Sequence, residues 1–406
     1  MTNILIRQIL PCFCSGTWCY ANGTVNLLFS CPGVIIFVKT CYQKQNRSPI
    51  IEALYEFLIL SDEDIGSVEP ILKIVSEGNQ INYLRSEQMD AAEFLTTLLD
   101  CLENGIQDTE KELFTKLFET HLYKERICNL SYINGCNTVK DTDKCQILAL
   151  PIENSTSLKQ SMSMFNGKSE TVEVNCENAC QSTNAKEITK LKQIARALII
   201  QLKRTYMDRN TNIKKNGAPI KIPLRFQPVN SGTWYMLTGI LQQKGEEATS
   251  GHYVTYTRYI SDKNVNFIYS NDDAPLVTKT YQEVIHDINC SYIFMYTPEK
   301  CVQEGQNMLQ GITIEHQTSP ITKMNKQDKY LENLIKEYEF IQKEKERIQN
   351  IRTNKRTNEE KQIFRALTDK LSKIKKKITD KYPQHKEKIS FMLNKKKNYG
   401  RNKSCR

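Results

Sequence analysis

Apolar residues recur at helical spacing in the first hundred residues and at strand spacing in the hundred before residue 298, and that order narrows the fold more than any other feature. Residues 17–31 read as a buried helix starting just after Thr17-Trp18. Residues 50–60, 68–75 and 87–103 read as amphipathic helices, the last with Ala91, Phe94, Leu95, Leu98, Leu99 and Leu102 at helical spacing. From about 120 to 185 the pattern weakens into short strands, turns and cysteines. Beyond it, 196–204 and 233–242 read as buried strands, 252–260 and 265–270 as a hairpin-like pair, and 291–297 as a closing strand before Pro298. Helices first and strands later is the order of an α+β fold.

Charge marks a second division. Residues 326–406 carry 25 Lys and Arg against 11 Asp and Glu, a net of +14, which leaves 31 against 35, or −4, in residues 1–325. Basicity therefore belongs to a tail and not to the body. Residues 299–325, rich in Gln, Thr and Ser, read as a linker. Beyond it come two short heptad blocks, Leu331, Leu334, Tyr338, Ile341 and Ile348, then Phe364, Leu367, Leu371, Ile374 and Ile378. Helical hairpin, short coiled coil and amphipathic partner helix all remain open for them. The Lys-rich end, with Lys375-Lys376-Lys377 and Lys395-Lys396-Lys397, suits nuclear import, nucleic-acid contact or a solvated extension.

Fourteen cysteines in 406 residues are too dilute for a secreted disulfide scaffold. The apolar stretch Val25–Val38 is broken by Asn26, Ser30, Pro32 and Gly33, a poor signal peptide and too short a membrane span. The expectation is an intracellular protein, nuclear or cytoplasmic, with mostly reduced thiols and no membrane partner.

Two residues carry the chemistry. Cys19 stands at the expected start of a helix, where the dipole and unpaired N–H groups favour a thiolate. His252 opens a strand directly after Gly251, and nineteen residues on, Asn271-Asp272-Asp273 follows a second strand. A hairpin return would bring a side-chain oxygen back to the imidazole. Thiol, imidazole and an orienting Asn or Asp form a cysteine-protease arrangement. A core cysteine, a capped core histidine and an Asn-Asp turn are the plainer reading of the same spacing.

Six segments in order resemble the ubiquitin-specific proteases, across roughly residues 12–298. Gly16-Thr17-Trp18-Cys19-Tyr20-Ala21-Asn22 is similar to that family's Cys box. Gln88-Met89-Asp90-Ala91-Ala92-Glu93-Phe94 resembles its Gln-Gln-Asp-Ala-X-Glu-Phe helix, and Leu202-Lys203-Arg204 its Leu-Lys-Arg-Phe strand, with Thr205 in place of Phe. Gly251-His252-Tyr253 with Tyr256 resembles the His box, Asn271-Asp272 the acidic pair after it, and Ser291-Tyr292-Ile293-Phe294-Met295-Tyr296 the closing strand.

The resemblance implies a catalytic domain over residues 1–298 with a papain-like fold of thumb, palm and fingers, the fingers at 120–185; the heptad blocks and charge of residues 326–406 add a helical basic extension. It implies a cofactor-free thiol hydrolase that cleaves at the C-terminal glycine of ubiquitin, with ubiquitin and ubiquitinated proteins as partners. Cys19 would be the nucleophile, His252 the base, Asn271 the third member and Asp272 an acid assisting the oxyanion. Asp90 and Glu93, two carboxylates three apart on one face of the expected helix, would with Gly251 and Tyr253 bind substrate. A helical partner or nucleic acid would belong to the tail.

Three departures stand out. Cys14 occupies the position, five before the nucleophile, where the family commonly has an oxyanion-binding Asn, and a thiol is a poor donor. Trp18 puts a bulky ring next to Cys19. In the fingers, Cys128, Cys136, Cys176 and Cys180 replace two Cys-X-X-Cys pairs. Four thiolates could close a tetrahedral zinc site; fingers that fold without metal are the alternative. A weak or inactive ubiquitin-binding scaffold acting through its tail is the rival to the enzyme.

Overall fold

The computed structural model describes residues 17–45, 47–59, 66–79, 81–84, 88–128, 139–173, 184–229, 231–247, 250–260, 265–302, 341–342, 345 and 358–381. It divides into two compact units, residues 1–314 and 315–406.

The first unit begins with six helices: α1 (Cys19–Phe29), α2 (Pro32–Tyr42), α3 (Pro49–Leu58), α4 (Glu69–Asn79), α5 (Ala91–Gly105) and α6 (Asp108–Phe118). Three groups of strands follow. An antiparallel four-stranded sheet has the order β2-β1-β5-β4, from β1 (Thr120–Cys128), β2 (Val139–Cys145), β4 (Lys168–Glu173) and β5 (Asn184–Gln193). The large sheet has eight strands. Its main path runs β13 (Val277–Thr280), β12 (Val265–Ser270), β11 (His252–Ile260), β10 (Tyr235–Lys244), β14 (Ile293–Pro298), β6 (Leu198–Lys203) and β3 (Ile147–Pro151), with β9 (Arg225–Phe226) also on β10. β3 and β6 are parallel and the other pairs antiparallel. A small hairpin pairs β7 (Thr205–Met207) with β8 (Ile213–Lys215). The helices α7 (Leu158–Phe165) and α8 (Tyr281–Asn289) complete the unit.

Every residue of α1 is buried, so this helix needs partners on all sides. It finds them in α5, α2, β10 and β11. Gly23 makes the approach to the sheet possible, because a Cβ there would collide with the Leu241 side chain. Pro32 and Gly33, which interrupt the apolar stretch in the sequence, mark the start of a second helix. Proline in the first turn has a preset φ and no N–H to leave unpaired. No single helix among the described residues is long and apolar enough to cross a membrane; α1 and α2 reach that composition only as a pair bent by 92°.

One sequence expectation shifts. The helix read from residue 87 begins at Ala91, because Asp90 has extended backbone and its carboxylate accepts the N–H groups of Ala92 (2.8 Å) and Glu93 (3.2 Å). Asp90 and Glu93 therefore do not share a helix face as two surface carboxylates. Asp90 is the cap and Glu93 an exposed first-turn residue.

Two apolar cores result. One lies among α1–α6 and the near face of the sheet, the other between the sheet and α7 and α8, through Leu158, Met162, Val284 and Ile288. Between strands, Arg204 is 2% exposed and donates to four carbonyls: Nε to Ser291 (2.8 Å), Nη1 to Asn216 (3.1 Å) and Ala218 (2.8 Å), and Nη2 to Asn289 (2.8 Å). Burial lowers its pKa. The planar fork ties the end of β6 to the segments flanking β8 and β14.

The second unit holds α9 (Asn358–Lys381). Leu371 and Ile374 of its apolar stripe are buried, Phe364 and Leu367 half-buried, and the Lys345 ammonium lies 5.1 Å from the Phe364 ring centre. Apart from Ile341, the residues of the first heptad block lie outside the described residues, as do Lys395-Lys396-Lys397.

Candidate active site

Cys19 is the first residue of α1, and Trp18 stands at the N-cap position. The Trp18 ring is 3% exposed and belongs to the helical core, so it packs inward. Cys19 is also 3% exposed. The helix start gives its sulfur the positive end of the dipole and the N–H groups of a first turn.

His252 comes from the other side, as the first residue of β11 and half-buried. β11 and β12 are antiparallel with Thr255 opposite Ser270, so the chain leaves β12 at Asn271 beside the histidine end of β11. The Asn271 Oδ1 lies 2.6 Å from His252 Nε2 and accepts its proton. That leaves Nδ1 for the thiol, and the hydrogen bond to Cys19 is the largest cause raising the His252 pKa from 6.5 to about 9. Desolvation opposes the rise, while Asn271 and the Asp272 charge add to it. A ring in this state is an imidazolium at neutral pH, held between a sulfur and an amide oxygen.

Asp272 has φ +46°, in the left-handed region that Asp tolerates better than most side chains. The conformation turns its carboxylate back to the site. Oδ1 accepts from Asn22 Nδ2 at 2.9 Å, and Oδ2 lies 3.8 Å from His252 Nε2. Asn22 sits one turn after Cys19, so Asp272 links the helix bearing the thiol to the histidine. A second bridge, from Asn26 Nδ2 to Ser270 Oγ (3.3 Å), reinforces it one turn further along.

The remaining expected residues divide into surface and support. Glu93 is exposed and free to meet a basic segment. Asp90 is occupied: besides capping α5, its Oδ2 accepts the hydroxyls of Tyr253 (3.4 Å) and Tyr292 (3.2 Å). Tyr253 is 3% exposed and its hydroxyl also receives the Ala91 N–H at 3.4 Å, so it braces α5 against the sheet. Burial pushes the Tyr253 hydroxyl well above the ordinary range. Gly251 has φ +153°, and a Cβ there would strike the Lys244 carbonyl, so only glycine lets the chain enter β11 at this point.

Two contributors had no role assigned from sequence. Asn22 could have been found from its spacing, since three residues after Cys19 is the same helix face. Gln88 gives no periodic signal, because it lies outside any regular element, just before α5. Its carboxamide pairs with both backbone groups of Gly251, and its Nε2 lies 3.6 Å from the Cys19 sulfur.

Of the four finger thiols, only Cys128 lies within the described residues, buried at the end of β1; Cys136, Cys176 and Cys180 lie outside them, as does Cys14. Among the described residues no group of three or more His, Cys, Asp or Glu could hold a metal ion. Cys19, Cys31, Cys41, Cys101, Cys145 and Cys290 are free thiols.

The family model of the ubiquitin carboxyl-terminal hydrolases matches residues 14–296. This chain belongs to that family. Among proteins of the family, ubiquitin carboxyl-terminal hydrolase 26 of Oryza sativa subsp. japonica is 24% identical over 264 residues, which are 60% of this chain and 24% of that protein. The chain thus spans about a quarter of the length of that curated relative. Solved structures share the fold. The SAGA DUB module Ubp8/Sgf11/Sus1/Sgf73 bound to monoubiquitin aligns with a TM-score of 0.58 at 19% identity, over 74% of this chain and 71% of that one. The yeast SAGA DUB module with a variant Sgf73 aligns with a TM-score of 0.58 at 20% identity, over 73% and 70%. The helices α1–α6, the eight-stranded sheet and the four-stranded sheet make up the mixed helix-and-sheet architecture that these structures share.

Proposed function

We propose that the chain is a cysteine hydrolase that cleaves the bond at the C-terminal glycine of ubiquitin. The observation that carries this is the meeting of Cys19, His252 and Asn271, from a helix start and a hairpin 233 residues further on, within a ubiquitin carboxyl-terminal hydrolase family domain. The Cys19 sulfur lone pair attacks the glycine carbonyl carbon and the carbonyl electron pair moves to oxygen. When that pair returns, the C–N bond breaks and the His252 proton goes to the leaving amine. Water then attacks the thioester, gives its proton to His252, and expels the thiolate. Asn271 keeps the ring in the tautomer and orientation that both halves need.

Glu93 on the exposed first turn of α5 supports recognition of a basic ubiquitin tail, and the body's net charge of −4 suits the same partner. For residues 326–406, α9 and its basic surroundings favour an acidic partner such as nucleic acid, together with nuclear residence. Reaction with ubiquitin carrying a thiol-reactive C-terminal group tests the central reading. The adduct should map to Cys19 alone by mass spectrometry, and labelling that persists in Cys19→Ala sinks the assignment.

A further inference from the structure

We infer that Gln88 is a catalytic residue that donates its side-chain N–H to the oxyanion, in the role that Cys14 cannot fill. The inference rests on the hydrolase reading above and adds a residue to it.

The side chain is fixed at both ends of its amide. Its Oε1 accepts the Gly251 N–H at 3.1 Å, and its Nε2 donates to the Gly251 carbonyl. A primary amide has a second N–H, and with the first committed to Gly251 the second is free to turn toward Cys19 Sγ, 3.6 Å from Nε2. Gln88 thus stands between the residue preceding the base and the nucleophile, with a hydrogen aimed at the reacting atom. Once the sulfur bonds to the carbonyl carbon, it loses its charge and most of its strength as an acceptor. The negative charge appears on an oxygen two bonds away, within reach of the same N–H. The donor's interaction is therefore stronger in the transition state than in the free enzyme, which is the condition for accelerating the chemistry. Gly251 makes this possible sterically, since a side chain there would displace the strand entry against which the amide is held.

The full-length chain tests this with Gln88→Met, which keeps length and loses the donor, and Gln88→Ala. Three measurements are compared. They are turnover of a ubiquitin C-terminal fluorophore, inhibition by ubiquitin C-terminal aldehyde, whose adduct carries an oxygen at the oxyanion position, and labelling by ubiquitin propargylamide, whose vinyl thioether adduct carries none. Both variants should lose ~10²–10³-fold in kcat, the usual effect of removing one oxyanion donor, with KM within a few-fold. Aldehyde affinity should fall in parallel, and propargylamide labelling should stay within a few-fold. Adding Cys14→Asn to Gln88→Met should restore turnover by ~10-fold or more, because it returns an amide to the family's donor position. Unchanged turnover, or turnover and propargylamide labelling falling together, would overturn the inference and leave Gln88 as a clamp on Gly251. A wild-type chain that reacts with no ubiquitin probe would instead remove the hydrolase reading itself.

Discussion

His252 concentrates the electrostatics of the site, and its titration is the most direct test of the constellation. Its value of about 9 lies above the ordinary 6.5, so the protonated ring stabilises the fold fully below pH 6.5. That contribution disappears as the pH rises through 9. NMR titration of the imidazole should find the raised value in the wild type and a lower one in Cys19→Ala, which removes the largest raising cause. In the wild type, kcat/KM should have an alkaline limb near pH 9, where the ring loses its proton. Asn271→Ala should move that limb to lower pH and reduce kcat by roughly 10²-fold, the low end of what a positioned acid–base group supplies. Unchanged turnover in Asn271→Ala would make Asp272, 3.8 Å from the same nitrogen, the third member instead.

Among the elements, the junction held by Arg204 has the least redundancy. Four carbonyls from two segments, 216–218 and 289–291, converge on one guanidinium. Lysine cannot reproduce the fork, and its three N–H donors leave at least one of the four carbonyls unpaired, at a cost of ~1–3 kcal/mol. Arg204→Lys should therefore lower unfolding free energy by at least about 1–3 kcal/mol, read as a shifted urea midpoint at constant slope. The strands were legible in the sequence where both faces are buried: 196–204, 233–242 and 291–297 match β6, β10 and β14 closely, because continuous apolar runs flanked by turn residues have few other solutions. The hairpin return of Asn271 to His252 was legible for a related reason, since strand length fixes where the two ends meet. Asp90 was read differently. An acid three residues before Glu93 looks like a surface pair by helical spacing, but the same Asp-X-X-Glu pattern is a helix-start signature, and the cap prevails. α6, α7 and α8 carried no assignment because their apolar stripes are short and interrupted by charge. Gln88 was visible as a motif letter only, since nothing in spacing shows an amide folding back on a glycine 163 residues away.

For the molecule as a whole, the division at residue 314 places the site, both cores and all three sheets in one unit. A chain ending at 314 should fold cooperatively and hydrolyse a ubiquitin fluorophore within a few-fold of the full-length rate. Loss of folding would mean that α9 and its neighbours support the catalytic unit. The four-stranded sheet has a further consequence. It is made of two excursions, β1 to β2 and β4 to β5, and the outward strand of each is paired with its own return. Thr120 faces Cys145, and Lys168 faces Thr189. The positions where the chain departs and comes back are thus held by pairing near the base, whatever length of chain joins the far ends. Residues 129–138 and 174–183, which join these strands and contain three of the four cysteines, are then natural grafting points. A ten-residue flexible insertion at 133 should change kcat by less than about two-fold, and a family built this way can shed or elaborate the chain between these strands without re-tuning the distance between sulfur and imidazole.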